Sequence, residues 1–278
     1  MANECRESNG TSENRSTSMA TSFHAERTQS LMKHSSYLLR YCSIVLLCGL
    51  SASGDIGIDI NKAMESEVRS DSERSRDGNR LPRETLRFFG LSENMDVLEL
   101  LPGGGWYTKL LAPVLQKNGS LTVSIGSDTA EKLSDQNGWN IRVIKTGQYG
   151  PTVARKYSIS EVDFGSEQFD MVLTFRNLHN FTAASRAEIN EAALNSLRPN
   201  GLYGVVDHTR RHMETENDEN WRRIDPVQVI KEAKDAGFEF VDFSPIHHKP
   251  NDELRYEVGK KGVSGSTDRF TLLFRKPQ

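Results

Sequence analysis

The sequence VLELLPGGGWYTKLLAP, residues 97–113, constrains the fold of this chain more than any other stretch. A short apolar run breaks at Pro102, three glycines follow, and apolar residues at helical spacing come next. Because glycine has no Cβ atom, the backbone of Gly103, Gly104 and Gly105 can adopt positive φ and lets a ligand approach closely. The stretch therefore predicts a strand, a tight loop and a helix, with a ligand bound between the strand's carboxyl end and the helix's amino end.

Two classes of cofactor bind at such a corner, and the position of the acidic residue distinguishes them. A dinucleotide fingerprint has the pattern G-x-G-x-x-G, with an acid about 20 residues further on. Here Thr108 stands where the third glycine belongs, and Glu99 lies just before the glycines. This arrangement resembles the first motif of class I S-adenosylmethionine (SAM) methyltransferases, E/D-x-G-x-G-x-G, with a leucine in place of the first glycine. The resemblance implies that the loop passes the methionine part of SAM, and its cofactor-binding candidates are Glu99, Leu101, Pro102, Gly103, Gly104 and Gly105.

Beyond this stretch, the apolar pattern alternates between strands and helices to the end of the chain. Helices are predicted over 81–91, from 107, from 129, over 183–197 and over 226–236. Strands are predicted over 96–100, 121–125, 141–145, 169–175, 202–206, 238–243 and 270–274. The alternation predicts one α/β domain, a Rossmann-like, doubly wound, mostly parallel seven-stranded sheet with helices on both faces.

The segment between the last two strands has no apolar periodicity, and we predict a long surface loop there. It begins with His247 and His248, which cannot both point the same way from a strand. We expect both histidines to be exposed and to bind no metal.

Polar side chains follow two of the predicted strands, at the ends where open α/β sheets bind ligands. The strand over 169–175 is followed by Arg176, Asn177, His179 and Asn180, and the strand over 202–206 by Asp207 and His208. An imidazole titrates near neutrality, so it suits an oxygen or nitrogen acceptor that must lose a proton. The catalytic candidates are therefore His179, Asp207 and His208. For each histidine, the alternative is a hydrogen-bonded structural role at the sheet edge.

Several further segments resemble the predicted class I SAM-dependent methyltransferases of bacteria, which often carry a signal peptide. They extend from Arg76 to Pro277 and are RDGNRLPRETLRFFGL, FDMVLTFRNLHNF, GLYGVVDH, RRIDPVQVIKEAKDAGF and DRFTLLFRKP. The resemblance implies SAM as the cofactor and methyl transfer as the reaction, with a small molecule as the acceptor.

The same resemblance adds cofactor-binding candidates outside the glycine loop. Asp128, after the second strand, corresponds from a shifted position to the acid that holds the ribose hydroxyls, and it is equally well placed to cap the next helix. Asp163 and Phe164 correspond to the acid and the apolar side chain that hold the adenine, and a turn is the alternative for Asp163. Arg176 and Asn177 complete the set. Arg176 suits an acidic acceptor or the cofactor carboxylate, with a surface ion pair as the alternative.

The first eighty residues differ in composition from the rest of the chain. Residues 1–31 are polar and predict a disordered tail or an over-called start before Met32. Residues 32–54 have a basic start, an apolar centre of about ten residues and small residues after it, which is the layout of a signal peptide and too short for a membrane span. We expect export on this basis, with a cytoplasmic location as the alternative. Residues 55–80 are charged and predict a linker, or an exposed first helix, before a methyltransferase domain over 81–278.

Composition also limits the partners. The net charge is −3 and no long basic run is present, so nucleic acid is not indicated. The three cysteines are Cys5, Cys42 and Cys48, all before the folded part, and no metal-ligand spacing occurs elsewhere. We therefore expect no metal site. The sequence carries no signal for an oligomeric state.

Two other functions are compatible with the sequence. One is a non-catalytic SAM-binding module, which is suggested by Leu101 in the loop and by the displaced Asp128. The other is a nicotinamide-dependent oxidoreductase, although the missing third glycine and the position of Glu99 argue against it. Because SAM is made in the cytoplasm, export and SAM-dependent catalysis also conflict with each other.

Overall fold

The structure is a computed structural model that describes residues 56–278. The expected tail over 1–31 and the expected signal peptide over 32–54 lie outside these residues. The strands are β1 Asp96–Leu100, β2 Ser120–Ser124, β3 Ile141–Ile144, β4 Gln148–Tyr149, β5 Ile159–Ser160, β6 Phe169–Phe175, β7 Leu197–His208, β8 Glu239–Phe243 and β9 Arg269–Arg275. The α-helices are α1 Ile56–Glu65, α2 Asp71–Arg74, α3 Asp77–Arg80, α4 Pro82–Phe88, α5 Thr108–Leu115, α6 Asp128–Asn137, α7 Ala183–Ser196 and α8 Pro226–Asp235.

Seven of the strands form one sheet in the order β3-β2-β1-β6-β7-β9-β8. The first five are parallel to one another, and β9 runs antiparallel to both β7 and β8. The predicted doubly wound, mostly parallel sheet is therefore confirmed. The strand order reverses between β1 and β6, which is where open α/β sheets form a ligand crevice at the carboxyl ends of the strands.

Helices cover both faces of the sheet because successive strand residues point to opposite sides. In β1, Leu98 belongs to an apolar cluster that includes Ile189 of α7 and Val229 of α8. Its neighbour Val97 belongs to a second cluster, with apolar side chains of α1, α4 and α5. The sheet is thus buried on both faces, as the continuous apolar runs of its parallel strands require.

Residues 56–80 are neither a linker nor an exposed helix, the two predictions for 55–80, because they form α1, α2 and α3 and α1 packs into the core of the domain. Ile60 and Ala63 of α1 are 0% and 3% exposed in the second apolar cluster, and Met64 packs against it. These residues lie three or four positions apart and form one apolar face among the charges. Ser70 then caps α2 through a capping box with Glu73.

The segment that contains α1, α2 and α3 contacts the residues that follow the glycine loop. The guanidinium carbons of Arg69 and Arg80 lie over the indole ring of Trp106, 4.9 and 4.3 Å from the ring centroid. Its Nε1 donates a hydrogen bond to the Glu73 carbonyl oxygen at 3.1 Å, and Lys109 Nζ lies 2.9 Å from the Glu73 carboxylate. Cation–π contacts that are shielded from water are worth about 2 kcal/mol. The first helices therefore fix the position of the loop.

The prediction of an exposed His247 is also wrong, whereas His248 has a 64% exposed side chain. His247 is 1% exposed, and its Nδ1 and Nε2 lie 2.6 Å from Thr271 Oγ1 and 2.9 Å from the Arg80 carbonyl oxygen. Burial lowers its pKa to about 4. A short 3₁₀ turn, Pro245–His247, directs the ring inward, so the ring links β9 to the end of α3.

No helix in the part of the chain that the structure describes is both long and apolar enough to span a bilayer.

If α1 is part of the domain, truncating its buried side chain must destabilise the whole fold. Ile60→Ala is expected to lower the free energy of unfolding by about 2–5 kcal/mol, because it leaves a cavity in the core. Lys62→Ala on the same helix removes a 73% exposed side chain and is expected to change stability by less than about 0.5 kcal/mol. Urea denaturation followed by circular dichroism measures both variants, and equal midpoints would show that α1 does not stabilise the domain.

Candidate active site

Leu101 stands where the motif has its first glycine, and its backbone is bonded to two neighbouring strands. Leu101 adopts a left-handed conformation with a φ of +54°, which costs a non-glycine residue about 1–2 kcal/mol. Its amide donates to the Ser124 carbonyl oxygen at 2.9 Å, and its carbonyl oxygen accepts from Asn177 Nδ2 at 3.1 Å. These two bonds hold the strained residue in place. They also join the carboxyl ends of β1, β2 and β6.

The three glycines have different physical roles. A Cβ atom on Gly105 would lie 2.4 Å from Leu133 Cδ1, so this glycine is needed for packing against α6. Nothing lies within 4 Å of a Cβ atom built on Gly104, so this position faces open space. Among the described residues, the amide groups of Gly103 and Gly104 find no hydrogen-bond acceptor. The loop therefore offers free N–H donors to a ligand at the amino end of α5.

Glu99 is buried beneath this loop. It is 2% exposed, and its Oε2 accepts a hydrogen bond from Thr108 Oγ1 at 2.7 Å. Burial raises its pKa to about 7, and the hydrogen bond from Thr108 opposes that shift. Thr108 stands where a dinucleotide fingerprint would have its third glycine, and here its hydroxyl is used to hold the acid.

A cavity of about 390 Å³ lies at the carboxyl ends of β2 and β3. Its lining residues are Ile125, Gly126, Ser127, Asp128, Ile144, Lys145, Thr146 and Gly147. Asp128 is the first residue of α6 and not its cap, because Ser127 occupies the cap position. Asp163 lies beside the cavity, since its amide donates to Thr146 Oγ1 at 2.8 Å. Its carboxylate accepts from the Gly165 amide at 2.8 Å, so Asp163 also stabilises a turn.

Phe164 does not lie where the resemblance requires it. Its side chain is 0% exposed and belongs to the core cluster that contains Leu98 and Ile125. An aromatic ring gains more from burial in an apolar core than from a position at a polar sheet edge. The expected contact of Phe164 with the adenine is therefore not available.

The three catalytic candidates are brought together by one buried carboxylate. Asp207 is 0% exposed and accepts a hydrogen bond from the His208 amide at 2.7 Å and another from the His179 amide at 3.1 Å. Its Oδ1 lies 2.5 Å from His179 Nδ1. Because an ionised carboxylate only accepts hydrogen bonds, Nδ1 of His179 carries the proton and Nε2 is left as the proton acceptor.

His208 lies beside this pair, with its ring centroid 5.6 Å from that of His179. Its Nδ1 is 3.0 Å from Thr267 Oγ1. Burial lowers its pKa well below the usual value, and the positive charge of Arg269 adds to this effect. His208 is therefore a neutral imidazole at neutral pH.

A cavity of about 250 Å³ opens above these side chains, and we call it the arginine cavity. Its lining residues are Arg76, Arg176, His179, Asn180, His208, Arg222, Val258, Gly259, Ser264, Gly265, Thr267 and Arg269. The predicted Arg176, His179, Asn180 and His208 thus share one cavity. The expected surface loop before β9 contributes five of the other lining residues.

Sequence patterns did not indicate that Arg76, Arg222, Thr267 and Arg269 line this cavity. Arg269 had a usable signal, because an antiparallel closing strand begins at the edge where its parallel neighbour ends. The Cα atoms of His208 and Arg269 are indeed paired between β7 and β9. Arg76 had no such signal, because it lies within a run of charges that looks solvated.

Within residues 56–278, no group of three or more histidine, cysteine, aspartate or glutamate side chains is arranged to hold a metal ion.

Solved structures that share this fold include SAM-dependent methyltransferases. A SAM-dependent methyltransferase from Aquifex aeolicus is 16% identical, with a TM-score of 0.52 over 79% of this chain and 98% of that chain. A protein from Galdieria sulphuraria, provisionally described as a sarcosine dimethylglycine methyltransferase, is 16% identical, with a TM-score of 0.50 over 78% of this chain and 89% of that chain. No protein-family model and no curated protein matches the sequence. At this identity the likeness establishes the class I methyltransferase fold, and the activity must be argued from the site.

The raised pKa of Glu99 predicts a characteristic dependence of stability on pH. Between its ordinary pKa of 4.5 and about 7, the unfolded chain is ionised at Glu99 while the folded chain stays protonated. Stability therefore falls as pH rises through this range, by about 3 kcal/mol in total. Glu99→Gln keeps an acceptor for Thr108 and removes this fall. We expect the variant to gain about 3 kcal/mol relative to wild type between about pH 4 and about pH 8.

Urea denaturation at a series of pH values measures this difference. Glu84→Gln, the same chemical change at an exposed position of α4, is the control and is expected to give no such trend. Parallel pH profiles for wild type and Glu99→Gln would contradict the prediction.

Proposed function

We propose that this protein is a SAM-dependent methyltransferase that acts on a small-molecule acceptor. The observation that carries the proposal is the bond from Asn177 to the Leu101 carbonyl oxygen, because it joins the glycine loop to the strand that leads to the catalytic candidates. The loop and these candidates therefore flank one crevice, at the point where the strand order reverses.

The glycine loop and the cavity beside it suit the two halves of the cofactor. Open space above Gly104 and unpartnered amides at Gly103 and Gly104 favour the methionine half. The cavity next to Asp128, with Asp163 bonded to its rim, is a suitable place for the ribose and the adenine. The left-handed φ of Leu101 also weakens the case for a module that has lost its ligand, because the leucine adopts a backbone conformation that glycine adopts readily.

Methyl transfer asks little of the protein beyond alignment, exclusion of water and removal of a proton. SAM supplies a methyl carbon activated by a cationic sulfur. The acceptor's oxygen or nitrogen forms the new bond to carbon while the carbon–sulfur bond breaks, and its proton must leave. His179 is the group that takes this proton, because Asp207 fixes its ring and leaves Nε2 as the acceptor. The neutral His208 and Thr267 then orient the acceptor through hydrogen bonds.

Filling the open space above the loop tests the cofactor site. Gly104→Phe is expected to weaken SAM and S-adenosylhomocysteine binding by about tenfold or more, because the ring occupies the space proposed for the methionine half. Since no protein atom lies within 4 Å of the new Cβ, the variant is expected to keep the wild-type melting temperature. Isothermal titration calorimetry with both adenosyl ligands measures the change.

Gly104→Ala is the matched control, because it changes the same backbone position without filling the space. It is expected to bind both ligands within about threefold of wild type. NADH titrated in parallel tests the oxidoreductase alternative. Wild-type affinity in Gly104→Phe would place the cofactor elsewhere, and binding of NADH alone would overturn the proposed function.

A further inference from the structure

The arginine cavity carries an excess of positive charge. Four arginines line it, and none of the described residues that line it is acidic. One of the four, Arg222, forms an ion pair with Glu257. The other three are Arg76, Arg176 and Arg269.

None of these three guanidinium groups forms an ion pair with a carboxylate in the described part of the chain. The side chains of Arg76 and Arg176 form no hydrogen bond or ion pair with any residue over 56–278. Arg269 is 4% exposed, and its Nη1 donates to the Asn79 carbonyl oxygen at 2.9 Å. Its Nε is buried and has no partner among the described residues. A buried N–H donor that faces no acceptor is costly and therefore informative.

The surroundings do not neutralise this charge. Burial lowers the pKa of Arg269 to about 10, and the charge of Arg176 adds to this effect. Burial also lowers the pKa of Arg176, with Arg76 as the next cause. Asp207, whose negative charge acts on Arg176 and Arg269, already accepts hydrogen bonds from His179 and His208. Three positive charges thus share a partly buried site in which one carboxylate is already engaged.

We propose that the arginine cavity binds an oxyanion, a carboxylate or a phosphate, that belongs to the methyl acceptor. A guanidinium group forms two parallel hydrogen bonds to either oxyanion, and a buried, unpaired cluster of such groups gains the most from this pairing. Identification of the ligand as the acceptor rests on the proposed function. The binding of an oxyanion rests on the cavity alone.

The dimensions of the cavity limit the acceptor. The cavity volume of about 250 Å³ is small for a ligand pocket and matches a small acid. His179, the proposed base, lines the same cavity. An O–H or N–H group of an acid bound there would therefore lie near the His179 ring.

Binding of simple anions to the full-length protein tests the proposal. Inorganic phosphate and malonate serve as probes, and sodium chloride at matched ionic strength controls for screening. We expect both the melting temperature and calorimetric titration to detect binding of at least one probe, with or without saturating S-adenosylhomocysteine. Preference for phosphate would indicate a phosphorylated acceptor, and preference for malonate would indicate a carboxylic acid.

Variants that each remove one positive charge test which arginines bind the anion. Arg76→Gln and Arg176→Gln break no hydrogen bond of the folded chain, and each is expected to weaken anion binding by about tenfold. Arg83→Gln removes the same charge at an exposed position of α4 and is expected to leave anion affinity within about twofold. Arg269→Gln is avoided, because Arg269 also holds the Asn79 carbonyl oxygen. All three variants are expected to bind S-adenosylhomocysteine like wild type.

Several outcomes would overturn the proposal. They are absence of anion binding, equal loss in Arg83→Gln, and displacement of the anion by S-adenosylhomocysteine together with loss of that ligand in the two variants. The last result would assign the arginines to the cofactor's own carboxylate. If anions bind but neither adenosyl ligand does, the oxyanion site stands while the proposed function fails.

Discussion

One buried carboxylate, that of Asp207, fixes the geometry of the candidate active site. It accepts from two backbone amides and lies against the His179 ring, so it orients the ends of β6 and β7 together. Hydrogen bonds to a charged group contribute about 1.5–3 kcal/mol each, so this carboxylate links the two strand ends strongly. The link depends on the parallel pairing of β6 with β7, which brings both strand ends to the same place.

The geometry of the candidate active site also depends on the attachment of the first helices, α1 to α3, to the glycine loop. Two guanidinium groups lie over the ring of Trp106, and Glu73 accepts hydrogen bonds from both Trp106 and Lys109. The helices thereby stiffen a loop that already contains a strained leucine. They also bring Arg76 to the cavity, so the same contact that stabilises the loop completes the lining of the site.

The sheet was predictable because its strands are apolar runs bounded by turns. The strand over 169–175 has the predicted limits, and Asp225 caps α8 as its position before Pro226 indicates. The grouping of His179, Asp207 and His208 was also predictable, since it follows from parallel strands that end at one edge. Here local patterns and tertiary packing agree.

The predictions that were wrong share one cause. Each concerned a residue or segment whose burial depends on contacts with residues distant in sequence. The charges over 55–80 are typical of a solvated segment. Two of the arginines instead lie over the ring of Trp106, which sequence alone does not reveal. The burial of His247 depends on a hydrogen bond to the Arg80 carbonyl oxygen, and the burial of Phe164 on the core beneath it. Neither periodicity nor motif spacing contains such information.

The distribution of the arginine cavity along the chain has a consequence for biosynthesis. Arg269 bonds to Asn79 across 190 positions of sequence, and Arg76 lies further still from the closing strand. The first helices leave the ribosome long before β9 exists, so a nascent chain has no cavity until its last strand pairs with β7. Contacts of such long range are slow to form, because the entropy of closing a long loop must be overcome first. Any chain that terminates before β9 consequently carries the glycine loop and the histidines but lacks one wall of the site.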